Sequence, residues 1–164
     1  MSQELVNELE QLKPKQGTHG YKTKFVYRID GINLRGSLYP PVITLYKASK
    51  AYYQQDGNTQ RIVVDGVIEE LSAKIFHDDR KTMSRWHDSQ KKYALQEARK
   101  LSETHFSRMG INDKIRFIGL APLVVIPYTL IVRGVIFDGL AGLRYTYQRF
   151  IAEVYLLRAR LGLL

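Results

Sequence analysis

An α+β fold is predicted by three changes of texture along the 164 residues. A capped helix and short β-rich runs occupy the chain up to Gly66, a helical period runs from Thr82 to Phe106, and an apolar, arginine-flanked tail follows Phe117. Apolar residues make up 45% of the chain, enough for a core and too many for wholesale disorder.

The first helix is expected over Ser2 to Leu12, where Leu5, Leu9 and Leu12 recur at helical spacing behind a serine cap. Lys13 to Gly20, with a proline and two glycines, reads as a loop. Strands are expected at Phe25 to Ile29, Val42 to Tyr46 and Arg61 to Asp65, separated by Asp30-Gly31, Pro40-Pro41 and Asp56-Gly57 turn signals. A further strand is expected over Ile68 to Phe76. From Thr82 to Phe106, Met83, Trp86, Gln90, Tyr93, Glu97 and Leu101 step by three and four. Lys91, Lys92, Arg99 and Lys100 fall largely outside that stripe, which predicts a long amphipathic helix.

Phe117 to Val132 carries no charge over sixteen residues. As a straight helix it would reach about 24 Å at ~1.5 Å per residue, short of the ~30 Å hydrocarbon core, and Pro122 and Pro127 interrupt it. A broken, shallow or re-entrant insertion fits better than a clean span. The alternative is a buried helical hairpin. In Tyr145 to Leu164, Phe150, Ile151, Val154, Leu157 and Leu161 share a face. Arg144, Arg149, Arg158 and Arg160 surround it, the pattern of a helix lying in an anionic interface. Organisation is therefore expected as residues 1–110, ending in the long helix, followed by a membrane-association region at 111–164.

Lys and Arg total 25 against 16 Asp and Glu, a formal charge of +9 that favours polyanionic partners. Nucleic acid is disfavoured, because the basic residues are not interleaved with aromatics in a recognisable module and the tail is apolar. Absence of cysteine excludes disulfides and thiolate metal sites. The first twelve residues are polar and acidic, unlike a signal peptide.

Most of the chain's candidate chemistry lies between His77 and Trp86 (HDDRKTMSRW). Carboxylates beside guanidinium groups suit work on a phosphorylated donor: one group takes a proton and the others hold the departing negative charge. A solvated loop with an Asp-rich cap is the plainer alternative. His77 beside Asp78 and Asp79 is a weak metal candidate.

The strings RGSLYPPVITLYK (Arg35 to Lys47), QDGNTQRIVVDG (Gln55 to Gly66) and HDDRKTMSRWHDSQKKYALQEA (His77 to Ala98) resemble, in this order, bacterial family-2 glycosyltransferases of lipopolysaccharide and other cell-envelope glycan assembly. The apolar, basic-flanked tail is similar too. The resemblance implies the C-terminal half of such an enzyme: a few strands finishing a mixed sheet of a glycosyltransferase α/β fold, a long helix, and a tail at the cytoplasmic face of the bacterial inner membrane.

It also implies transfer from a nucleotide-sugar donor to a glycan or lipid-linked acceptor, with Mg²⁺ or Mn²⁺ as the family's cofactor. The Asp-x-Asp metal motif and the nucleotide-binding half that carries it have no counterpart in these residues, so a separate nucleotide-binding half is an expected partner. Asp56, Asp78 and Asp79 are then the candidate bases. Many relatives place a His-Glu pair where Thr59-Gln60 stand, and closer ones a histidine at Asn58, so a base at Gln60 is in doubt. Arg80, Lys81 and Arg85 are candidate diphosphate partners. Trp86 either stacks on a sugar or packs in the core. Arg35 and Tyr39 are candidates for the acceptor cleft. A non-catalytic peripheral membrane module that recruits a partner is the alternative function.

Overall fold

The computed structural model describes residues 2–78 and 80–164 and shows a mixed α+β protein. Helix α1 (Gln3–Glu10) is capped by Ser2, whose hydroxyl accepts from the Leu5 amide. Two strands follow in near-continuity, β1 (Thr18–Thr23) and β2 (Phe25–Ile29), so only the last three residues of the expected loop, Thr18 to Gly20, belong to the sheet. A two-residue turn with positive φ at both Asp30 and Gly31 returns the chain to β3 (Ile32–Asn33), the backbone that Asp-Gly favours. Then come β4 (Val42–Tyr46), the hairpin β5 (Ala51–Asp56) and β6 (Thr59–Val64), and the pair β7 (Val67–Glu70) and β8 (Ile75–Asp78). Strand β1 lies between antiparallel β4 and parallel β7, while β2 lies between antiparallel β3 and parallel β8.

The single strand expected over Ile68 to Phe76 is broken in two. At the break, the amides of Ser72 and Ala73 donate to the Glu8 carboxylate, 2.8 Å each, instead of to the ladder. That bond docks α1 on the bend, over a core of Leu5, Tyr21, Leu71 and Ala73.

Helix α2 (Met83–Glu103) starts at a Thr82 cap and runs two to three residues short of the expected end. Trp86, Ala94 and Leu101 form its buried line. The tail is α3 (Ile111–Phe117), α4 (Ala121–Pro127) extended by one π-helical turn (Tyr128–Val132), and α5 (Gly139–Arg160). Gly119 and Gly134, both with positive φ, bound the helical part of the apolar run; Pro122 sits in the first turn of α4, where its missing amide is no loss, and Pro127 marks the change to the π turn. Helix α5 packs on both α2 and α4, so its buried side chains include Tyr145, Thr146, Gln148, Glu153 and Leu156. The expected interfacial face is instead half-buried at Phe150, Ile151, Val154 and Leu157, and open at Leu161.

Two cores join residues of 1–110 to the tail. Tyr27, Ile29 and Leu34 pack with Val135, Ala141 and Tyr145, and Ala94, Leu101 and Met109 pack with Leu156. Gly36 permits this closeness, since a Cβ there would overlap the Arg133 carbonyl oxygen. Among the described residues no single helix is long and apolar enough to cross a membrane. Ala121–Val132 and Val135–Arg160 meet that test only together, bent by 74°.

Tyr145, wholly buried, accepts a hydrogen bond from the Leu38 amide at 2.7 Å. Tyr145→Phe leaves that amide without its partner and is expected to cost about 1–3 kcal/mol in urea unfolding. An unchanged midpoint would show that water replaces the hydroxyl.

Candidate functional site

Strands β2 and β8 run parallel with Arg28 opposite Asp78 and Tyr27 opposite His77. Side chains alternate across a sheet, so Arg28 and Asp78 share one face while Tyr27 and His77 share the other. A cleft of about 390 Å³ at this end of the sheet is lined from both faces, by Arg28 and Asp78 and by Tyr27 and Ile29. Its wall carries Arg28, Arg80, Lys81 and Arg144 against the carboxylates of Asp30 and Asp78, with Met83 and Trp86 from the first turn of α2. Arg80 Nε donates to Asp78 at 2.9 Å, Arg28 Nε to Asn33 at 2.7 Å, and Arg144 pairs with Asp30. Cations outnumber carboxylates, and a helix N-terminus lies alongside, so the cleft favours anions. Trp86 is 4% exposed yet contributes to the wall, so it both packs in the core and closes the cleft.

The opposite face holds an aromatic layer. Tyr27 stacks on Tyr39 with centroids 5.3 Å apart at 8°, and His77 lies 5.2 Å from Tyr27. Beyond Tyr39 two adjoining cavities of about 560 and 460 Å³ share Tyr39, Asn58, Thr59, Glu97 and Arg116. They separate the β5–β6 hairpin from α2 and α5. The hairpin turn rests on α2: Gly57 has φ +57°, and a Cβ there would overlap the Glu97 carboxylate.

Asp56 anchors this hairpin. Its carboxylate takes a bond from Lys100 Nζ at 2.7 Å and pairs with Arg61. The Lys100 hydrogen bond, above all, holds its pKa below the ordinary aspartate value, against an opposing effect of burial. A carboxylate so held is a poor proton acceptor. The stabilisation it gives is fully present above the unfolded pKa of about 3.9 and is lost as pH falls through the lower folded value. Urea unfolding between pH 6 and pH 3 should therefore lose stability less steeply in Asp56→Asn than in wild type. Parallel profiles would remove this ion pair from the acid response.

The structure thus distributes the expected residues over several places. Asp78, Arg80, Lys81 and Trp86 meet in the first cleft, whereas Asp56 and Tyr39 line the second, behind the Tyr27–Tyr39 stack. Asp79 lies outside the described residues. Arg85 is exposed and lines neither cleft; its amide serves the Thr82 cap. Arg35 lines neither one. Its amide donates to Asp138 at 2.9 Å and its guanidinium pairs with the same carboxylate at 3.3 Å, tying the RGSLYPP segment to the tail.

His77 and Asp78 point to opposite faces and cannot share an ion. Among the described residues no group of three histidines or carboxylates could hold a metal, and one oxygen each of Asp30 and Asp78 is engaged by an arginine. These side chains do not fit Mg²⁺ or Mn²⁺.

Sequence reasoning missed Arg28, whose place on the cleft face comes from its register with Asp78. It also read Arg149 as interfacial charge, whereas its guanidinium packs against the rings of Tyr39 and Tyr145. The signal was available: Tyr145 stands four residues before Arg149 on the same helix, one turn away.

Comparison with protein-family models, with characterised proteins and with solved structures gives no match, so the family resemblance rests on the three strings quoted above.

Proposed function

We propose that this chain supplies the acceptor- and membrane-facing part of a glycosyltransferase, which moves a sugar from a nucleotide-sugar donor to a cell-envelope glycan or lipid-linked acceptor. The observation that carries the reading is the first cleft. It combines one strand-borne carboxylate, Asp78, with four cations and opens beside the start of α5. That end of α5 continues into an exposed apolar corner in which Ile131, Phe137 and Leu140 are 71%, 72% and 84% exposed.

In this reading Asp78 takes the proton of the acceptor hydroxyl as its oxygen bonds to the anomeric carbon. The bond from that carbon to the diphosphate breaks, and the leaving oxygens gain the negative charge. Arg28, Lys81 and Arg144 hold that charge in the partly enclosed cleft. Arg80, bonded to one oxygen of Asp78, orients the carboxylate until the acceptor displaces it.

The test is transfer from radiolabelled sugar nucleotides to an envelope-glycan acceptor, by the chain alone and with the nucleotide-binding half that the resemblance implies. The pair should transfer, and Asp78→Asn should reduce the rate about 10²–10⁴-fold. If the pair is inert with every common sugar nucleotide, or if Asp78→Asn matches wild type, the catalytic reading is wrong. The non-catalytic membrane module then takes its place.

A further inference from the structure

We propose that the second cleft binds an anionic sugar, with its phosphate or carboxylate on Arg149 and its ring hydroxyls on Asn58, Thr59, Gln90 and Tyr93. The identity of the ligand as a sugar rests on the glycosyltransferase reading; its anionic character does not. Arg149 lines the cavity of about 460 Å³ between the hairpin, α2 and α5. Its Nη1 donates to the Tyr39 hydroxyl at 3.4 Å, and its guanidinium carbon lies 5.6 and 5.5 Å from the Tyr39 and Tyr145 ring centroids. Its Nε is buried without a hydrogen-bond partner.

No described carboxylate forms an ion pair with it. Glu153, one turn further along α5, gives both oxygens to Arg116, at 2.8 and 3.2 Å. Glu97 serves Lys100 and Arg116, and Asp56 serves Lys100 and Arg61. The nearby acids are therefore committed, and one guanidinium is left with only hydroxyl and ring partners. A buried charge without its opposite is costly, and a planar guanidinium with an unpartnered Nε–H suits two-point capture of phosphate or carboxylate.

The remaining wall suits a sugar better than a bare ion. Two side-chain amides and two hydroxyls offer directional donors and acceptors, and the Tyr93 ring is 37% exposed and open to an apolar sugar face. The volume falls within the range of small-molecule sites, about 300–1,000 Å³.

The full chain should be titrated with glucose 6-phosphate, glucuronate, glucose, inorganic phosphate and UDP while the Arg149 Nε–H resonance is followed by NMR. Glucose 6-phosphate and glucuronate should move that resonance at millimolar concentration, and glucose should not. Inorganic phosphate should act at least about tenfold more weakly, because it lacks the ring contacts. Arg149→Gln should weaken glucose 6-phosphate binding about tenfold or more in calorimetry, with Arg149→Lys intermediate. If the glutamine variant does not fold, the wild-type resonance decides.

No movement with either anionic sugar, equal movement with inorganic phosphate, or stronger movement with UDP would each overturn the proposal, the last by making this the donor site. Binding is read without transfer. Binding with no transfer therefore removes the catalytic reading alone, and transfer with no binding removes this one alone.

Discussion

Arg116→Met is expected to lower stability by about 2–3 kcal/mol, less than the ~3–5 kcal/mol of breaking a fully buried ion pair, because the Arg116 side chain is 34% exposed while Glu153 is 11% exposed. Arg116 sits on α3 and binds Glu153 of α5 through Nη2 and Nε while its Nη1 lies 3.8 Å from Glu97 of α2. Burial of the guanidinium works against its charge, but Glu153 outweighs that and its pKa is raised. One side chain therefore holds three helices together. Glu97 keeps Lys100 when Arg116 is lost, whereas Glu153 keeps no ion-pair partner among the described residues.

The pH dependence identifies the cause. In the variant, Glu153 is buried and unpaired, so its folded pKa rises above the unfolded value of about 4.3. The native state then binds more protons than the unfolded state, and the deficit shrinks as pH falls toward that value. Urea unfolding from pH 7.5 to 4.5 should show the gap from wild type closing. Adding Glu153→Gln should recover part of the loss at pH 7. A loss below about 1 kcal/mol, or one constant with pH, would mean the pair is solvated like a surface salt bridge.

The local signals in the sequence were legible where geometry is local. Strands β2 and β4, the Ser2 cap and the Asp-Gly turns follow from residue type within a few positions. What could not be read depends on partners distant in sequence. The break after β7 exists because Glu8 takes two amides some 64 residues away. The buried face of α5 is set by α2 and α4, so the helix's own stripe at Phe150, Val154 and Leu157 ends up half-buried. For the site, His77 to Trp86 did place Asp78, Arg80, Lys81 and Trp86 around one cleft, because a strand end leading into a helix start keeps neighbours together. Asp56 was grouped with them through the family resemblance and its place in the loop before a strand, the alternative being a plain Asp-Gly turn. Only the Tyr27–Tyr39 stack shows that it faces another cavity, with Lys100 and Arg61 on its oxygens.

Phe137→Glu combined with Leu140→Glu is expected to reduce partitioning onto anionic vesicles by about 10²-fold or more. Wild type should bind such vesicles, more weakly as salt rises. The corner between α4 and α5 exposes Leu123, Ile131, Val132, Ile136, Phe137 and Leu140, with Arg133 and Arg35 beside it. Burying one large apolar side chain is worth about 1.5–3 kcal/mol, so two contribute about 3–6 kcal/mol. Each factor of ten corresponds to about 1.4 kcal/mol.

Glutamates remove that gain and add repulsion from anionic headgroups. Arg133→Gln should weaken binding by a smaller amount, about 1 kcal/mol. Both substituted side chains are largely exposed, so folding should be little affected. Circular dichroism then separates a binding defect from a folding one. Vesicle sedimentation decides the matter: if the double variant pellets like wild type, the corner is not what touches the bilayer. If it stays in the supernatant while transfer to a soluble glycan acceptor persists, the corner serves to bring the first cleft to a membrane-held acceptor. The fold makes that division of labour plausible in physical terms, because Arg144 of the cleft lies one turn beyond Leu140 on the same helix.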